Sequence, residues 1–394
     1  MTEVDKRLRD VVRQAAGLPF FSDRYAHLDL AGEFSITDVP EMTREDITAS
    51  MTLASGQPGR GGAYLFTSGG STAAPKVAWI PIAMHLDAIL GHWRPLGPGD
   101  VLANLAMPGR LWSAHYFYNG MAERCGADAI GLGHVEAGEW PQWLDFLDTH
   151  GTTALCGTPS TLEQVLALAL RLRHPILRRL RAALFFGEPC PESLVRLCRE
   201  EVPGVRLWGN YGSTETWVIG HNGPDCDATT FHVFPHQHVE VVDGSVLVTT
   251  LHEDAVSPVV RYRIGDRARW TQCACGGDRA LRLLGREGAL IKFAGTLVAP
   301  DELLGLARAD ASVAAAQAAW READPERLEI RVVPGAGATP DVDALRARLL
   351  DSQIDLRFAL RGDDDAFEIV VVDRLQVNDR TAKTPSLVPL DPPR

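Results

Sequence analysis

Cysteine is scarce and odd in number. Seven residues scattered over a 394-residue chain do not make a disulfide framework, and they favour reduced thiols in a cytoplasmic setting. No apolar run approaches the roughly 20 residues of a membrane span. The opening stretch from Met1 to Asp10 is charged and lacks a signal-peptide core, so neither a membrane nor a secretory route is expected. Basic charge is short as well. With 39 Lys and Arg against 51 Asp and Glu, the formal net charge is −12, which counts against nucleic acid as a partner. A local basic groove for a polyanionic cofactor stays open. Internal repeats and long low-complexity tracts are missing. So is the Walker phosphate loop, because Pro75, Lys76 and Val77 stand where Gly-Lys-Ser/Thr would be needed.

What is present is ordinary globular text, 45% hydrophobic and 23% charged, in a chain too long for one core. Helical spacing of Leu8, Val11, Val12 and Ala15 opens it, and Leu18 to Phe21 breaks that pattern. Thr43 is placed to cap a helix with Glu45 and Asp46 in its first turn. Strand and helix signals then alternate. Asp100 to Leu105, Thr152 to Cys156 and Ala182 to Phe186 read as strands. Trp140 to His150 reads as a helix, as does Pro159 to Leu172 with Ser160 or Thr161 as cap. The alternation predicts an α/β layer with a largely parallel sheet, whose ligands sit at the carboxyl ends of strands. From about 226 to 284 the runs become short and β-rich, as in a β subdomain, and a small α+β unit follows Gly285. The expected organisation is a large domain over 1–286 and a small, mobile one over 287–394.

Thr67, Ser68, Gly69, Gly70, Ser71, Thr72 and Lys76 form a loop of glycines, hydroxyls and one lysine after a strand-like run. Such a loop turns N–H groups and a positive charge toward an anion. Asn210, Tyr211, Gly212, Ser213, Thr214 and Glu215 offer an aromatic face for a base, hydroxyls for a phosphate and a carboxylate for magnesium. Asp266 ends another strand and can accept two ribose hydroxyls. Arg286 follows, and Lys383 lies near the chain's end. Each alone reads as well as a surface loop, a buried tyrosine or a helix cap. In this order and spacing, the set resembles the adenylate-forming superfamily of acyl-CoA synthetases, adenylation domains and luciferases. Its short branch of phenylacetate–CoA ligases and coenzyme F390 synthetase-like enzymes is the nearest likeness, carried by Leu18 to Phe21, Pro40 to Asp46 and Gly295 to Glu302.

The resemblance implies roles. The 67–76 loop closes on the β- and γ-phosphates of ATP. Gly187, Glu188 and Pro189 form one wall of the adenine slot and Tyr211 the other. Thr214 touches the α-phosphate, Glu215 holds Mg2+, and Asp266 holds ribose with Arg286 nearby. Lys383 bridges carboxylate and α-phosphate during adenylation. Ala73 and Ala382 replace the glycines usual at those places, and the interdomain hinge falls at Gly288 and Ala289. The same likeness suggests a structural Zn2+ held by Cys226, His232, Cys273 and Cys275, with His238 and His252 as substitutes for the imidazole; the four other cysteines read as core. Trp112, His115 and Tyr116 match the acid-binding region, and Trp208, Gly209 and Trp217 flank the tyrosine motif. These aromatics suit a flat aromatic acid.

The leading expectation is therefore ATP-dependent adenylation of an aromatic carboxylic acid with loss of pyrophosphate, then transfer to the thiol of CoA or a carrier protein, in secondary metabolism. A second expectation is activation of another acid for a non-thiol acceptor, such as nitrite for diazotisation of an aryl amine. A third, of another class, is non-catalytic nucleotide binding. A homodimer is left open.

Overall fold

The computed structural model describes the chain except for residues 1–2, 33, 55–61, 68–76, 110, 137, 253, 257, 278, 288–290, 295, 322–325, 336, 354–355, 358–359, 361–363, 379–382 and 391–394. The expected phosphate loop from Ser68 to Lys76 and the expected hinge at Gly288 and Ala289 lie outside the described residues.

The fold is α/β, with one dominant sheet. Its eleven strands run in the order Gln237–Val242, Ser245–Thr250, Tyr262–Gln272, Arg279–Arg286, Thr230–Val233, Trp217–Asn222, Arg206–Ser213, Ala182–Phe185, Ala154–Gly157, Val101–Asn104 and Asp128–Ile130. The last five are parallel to one another. Ala154–Gly157 and Ala182–Phe185 are buried at every position, as strands covered on both faces must be. The pairing turns antiparallel where Arg206–Ser213 meets Trp217–Asn222 and stays so to the far edge. The β-rich stretch expected as a subdomain thus continues the same sheet. Its strands share one core with the parallel half, running from Val12 to Leu281.

Helix ends follow side-chain chemistry. Thr43 caps Arg44–Ala54, accepting from the Asp46 amide at 3.2 Å while the Asp46 carboxylate accepts from the Thr43 amide at 2.7 Å. Pro159–Arg171 is capped by Thr158, not by Ser160 or Thr161, because Pro159 takes the first helical position and its missing N–H costs nothing there. The first helix, Glu3–Ala16, ends before Leu18 as expected, and the Leu18 to Phe21 stretch enters a separate one-turn helix, Pro19–Ser22.

A second core gathers residues from Ile291 to Ile369. It packs helices Pro300–Arg308 and Val342–Ser352 against a four-stranded sheet ordered Phe367–Val371, Arg327–Pro334, Val313–Arg321 and Leu387–Pro389. No helix among the described residues is long and apolar enough to cross a membrane.

Three imidazoles meet in one cluster. His85, held at φ 54°, lies 3.5 Å from the His252 ring and 6.4 Å from the His236 ring. Burial, then the neighbouring imidazoles, push His85 down to about 3 and His236 down to about 4. The other charged or titratable groups bearing on His236 are His92 and Arg7. Both folded values lie below the ordinary histidine value of about 6.5, so the unfolded chain binds protons first as the medium turns acid. Their contribution to stability is present above about pH 6.5 and is lost as pH falls toward 4, by up to about 1.4 kcal/mol per pH unit for each group. Melting temperature should therefore drop between pH 6.5 and 5. His85→Asn, which tolerates the left-handed backbone, should flatten that drop. Identical pH slopes for the two proteins would show that the cluster does not titrate this way.

Candidate functional site

The strand Arg206–Ser213 carries Tyr211 inward at the carboxyl end of the parallel set. Its neighbours leave no room for larger side chains. A Cβ on Gly209 would fall 2.3 Å from the Phe185 ring, and one on Gly212 2.3 Å from the Trp217 carbonyl. The Tyr211 hydroxyl donates to Asp266 at 2.7 Å. Asp266 and Arg286 are direct partners across two antiparallel strands, so the guanidinium reaches the other carboxylate oxygen at 2.6 Å. Burial and then the Asp266 charge raise the Tyr211 pKa, so its hydroxyl remains a donor. Burial opposes the Arg286 charge, yet Asp266 holds its pKa above the ordinary arginine value.

Glu215 is 3% exposed and accepts the Tyr262 hydroxyl at 2.7 Å. Its charge bears on both Tyr211 and Arg286. Two buried carboxylates with oriented donors therefore face one region. Tyr262 was not singled out from the sequence, because its link to Glu215 spans 47 positions and carries no local signal. Ser213 is engaged locally, with its oxygen 2.9 Å from the Thr216 hydroxyl, and Thr214 and Asn210 are half-buried. Thr67 is buried at the end of Ala63–Thr67, and its amide donates to the Leu111 carbonyl at 2.8 Å.

Lys383 comes to the same region from the far end of the chain. A Cβ on Gly187 would sit 2.6 Å from its Cε and 2.7 Å from its Nζ, so the lysine stem lies directly on the glycine. Gly187 also has φ +78°, a conformation glycine adopts freely. The ammonium lies 5.9 Å from the Trp112 ring centroid. Gln317, fully buried on the central small-domain strand, donates to the Gln376 carbonyl at 2.8 Å and the Pro385 carbonyl at 2.9 Å. It thereby grips both arms of the loop that carries Lys383. The Asn378 amide closes that loop on the Lys383 carbonyl at 2.7 Å.

The aromatic residues divide. Trp217 stacks on Phe66 with centroids 5.9 Å apart and meets Phe117 edge-on at 5.7 Å. Tyr116 packs on Phe66 at 5.9 Å, and Trp112 on Phe186 at 5.8 Å. Trp208 packs on Gly223, at the other end of the hairpin from Trp217, so the two do not share one wall as their sequence positions suggested. His115 has both ring nitrogens engaged, Nδ1 with the Ala106 carbonyl at 2.8 Å and Nε2 with Asn119 at 3.1 Å.

At the opposite end of the antiparallel strands, Cys226, His232, Cys273 and Cys275 place their donor atoms within 4.8 Å of one another. Thr230–Val233 lies between Trp217–Asn222 and Arg279–Arg286, which brings the turn bearing Cys226 beside the turn bearing Cys273 and Cys275. Three sulfurs and one imidazole are the donor set of a closed tetrahedral zinc site. The set fits that metal: His232 Nε2 already stands 3.3 Å from the Cys275 sulfur, and the Gly223 amide donates to the Cys226 sulfur at 3.4 Å. His252 is committed to the imidazole cluster. Cys125, Cys156, Cys190 and Cys198 are buried, as expected of core residues.

The family model for the AMP-binding enzyme matches residues 33–249. Among curated proteins, the chain is 26% identical over 202 residues to the indoleacetate–lysine synthetase of Pseudomonas savastanoi, covering 51% of this chain and 50% of that protein. It is 30% identical over 177 residues to the phenyloxazoline synthase MbtB of Mycolicibacterium paratuberculosis, covering 44% of this chain and 14% of that protein. The chain thus spans at most half the length of these relatives within the match. Among solved structures, a 2-hydroxyisobutyryl-CoA ligase in its postadenylation state superposes with a TM-score of 0.70 at 19% identity, over 98% of this chain and 88% of that one.

Proposed function

Because the chain belongs to the AMP-binding enzyme family, we propose that it adenylates a carboxylic acid with ATP, releases pyrophosphate, and passes the acyl group to a thiol of CoA or a carrier protein. The observation that carries this reading is Lys383 lying on Gly187, beside the region faced by Tyr211, Asp266 and Glu215. Tyr211 and the Gly187 to Pro189 turn bound the adenine. Asp266, oriented by Tyr211 and Arg286, takes the ribose hydroxyls. Thr214 meets the α-phosphate. Glu215, held by Tyr262, supplies the carboxylate for Mg2+, which neutralises phosphate charge when bound. The 67–76 loop covers the outer phosphates. Lys383 places its charge where the acid's oxygen attacks phosphorus.

The acid is aromatic in this reading. Trp112, 5.9 Å from the Lys383 ammonium, packs on Phe186, and Phe66, Trp217 and Tyr116 form a further group of flat apolar faces. One relative's name carries indoleacetate, itself a flat aromatic acid. We place the chain in the short phenylacetate–CoA ligase-like branch, working in secondary metabolism. Residues 1–286 and 287–394 act as two domains that change pose between the two half-reactions. A structural zinc on the Cys226, His232, Cys273 and Cys275 set belongs to the same reading.

ATP–pyrophosphate exchange over a panel of benzoates, cinnamates and arylacetates tests it. Exchange that needs both an aryl acid and Mg2+ is the expected result, and no exchange with any acid would overturn it. AMP release with and without CoA, amines or nitrite then separates a thiol acceptor from another. The lysine in the same relative's name makes an amine acceptor the specific alternative.

A further inference from the structure

Glu188 follows Gly187 in the turn on which Lys383 lies. Its carboxylate is shared between the two lobes. On the large-lobe side it accepts from the Ser160 hydroxyl and, at 3.4 Å, from the Ser160 amide in the first turn of helix Pro159–Arg171. From the small lobe it accepts the backbone N–H of Thr384, the residue after Lys383. The Thr384 hydroxyl adds a contact to the Ser160 hydroxyl at 3.4 Å. Burial raises the Glu188 carboxyl, while Ser160, Thr384 and the Lys383 charge pull it back.

The arrangement is pre-set on both sides. Gln317 and the Asn378 amide shape the loop that presents the Thr384 N–H. Helix Pro159–Arg171 aims its first-turn donors at the other carboxylate oxygen. A second tie, from the Ser193 hydroxyl to the Ala314 carbonyl at 3.0 Å, crosses the same interface.

We propose that Glu188 is an interdomain latch, a positioning residue whose carboxylate holds the Lys383 loop against the large lobe and whose release frees the small lobe to turn. When the Thr384 N–H leaves, it uncovers a carboxylate still anchored to Ser160. Resting on the proposed adenylation, the latch sets how much of the time Lys383 faces the reacting phosphate.

The latched N–H belongs to the Lys383–Thr384 peptide bond itself, which trypsin cuts only when Lys383 is undocked. Brief digestion of the full chain, without ATP or acid, should release the peptide from Thr384 to Arg394 slowly. Glu188→Ala should speed that release at least about tenfold, as expected when a charge-assisted hydrogen bond is lost and cleavage follows the open population. Glu188→Gln, which keeps one acceptor oxygen, should fall between the two. Ser160→Ala should give a smaller increase in the same direction. Cleavage after Arg206, inside the large sheet, should not change. Unchanged release from Glu188→Ala, or equal acceleration at both sites, would overturn the latch. With no ATP or acid present, the outcome is independent of whether the chain adenylates anything, so the two readings fail separately.

Discussion

Lys383→Ala is expected to slow adenylation by roughly 10²–10³-fold, the loss that follows removal of one preorganised charge-stabilising group. As a carboxylate attacks the α-phosphorus, negative charge gathers on the equatorial oxygens, and an ammonium already in place stabilises that charge without reorganisation. Lys383 is preorganised in this sense. Its loop is gripped by Gln317 from within the small lobe, and its stem is seated on Gly187 of the large one. In the proposed reading Tyr211 and Asp266 hold the nucleoside, so ATP affinity should change little. The variant should therefore lose rate and keep nucleotide binding. Pyrophosphate exchange with an active aryl acid, set beside a direct ATP-binding titration, measures both. Exchange at the wild-type rate would remove Lys383 from the chemistry.

The second large effect concerns the thiolate cluster. Protein prepared without chelator should carry about one zinc per chain, as a single four-ligand site requires. Apparent zinc binding in small zinc modules contributes on the order of 10 kcal/mol, and binding to the native state alone is stability. Even half of that would lower melting by roughly 8 °C in a lobe of this size with ordinary unfolding entropy. Cys273→Ser should show both losses, in metal content and in melting temperature. Cys273 is the ligand to choose because it is buried, at 6% exposure, whereas Cys275 is exposed. The cluster joins two turns of the large sheet and includes none of the residues proposed to hold the acid, so acid preference should stay the same. Stable protein that binds no zinc would reduce the cluster to turn cysteines.

Much of this was legible in the chain before any coordinates. The Tyr211 to Glu215 run, Asp266 and Lys383 stand out only as a set, because their order and spacing resemble those of one superfamily while each alone reads as a loop or core residue. The fully apolar runs at Ala154–Gly157 and Ala182–Phe185 announce strands buried on both faces. Other elements were not legible. Val313–Arg321 is rich in alanine and carries no strand signal, yet it lies between two strands of the small sheet, where pairing outweighs propensity. Whether the β-rich stretch stands apart could not be read either, because a strand's text does not say which edge it joins.

The sequence by itself determined the fold class, the reactive residue types, the cysteine and histidine supply of the metal set, and the order of the motifs along the chain. The fold class follows from alternating strand and helix patterns, while the metal set and the meaning of the motif order follow from the family resemblance. Only the tertiary structure decided the pairings: Tyr262 on Glu215, Arg286 beside Asp266, Lys383 on Gly187, and one carboxylate, Glu188, joined to both lobes. Each joins residues from 20 to 196 positions apart. Contacts over such separations are made by the register of strands and the docking of two cores, and no local pattern of side chains records either.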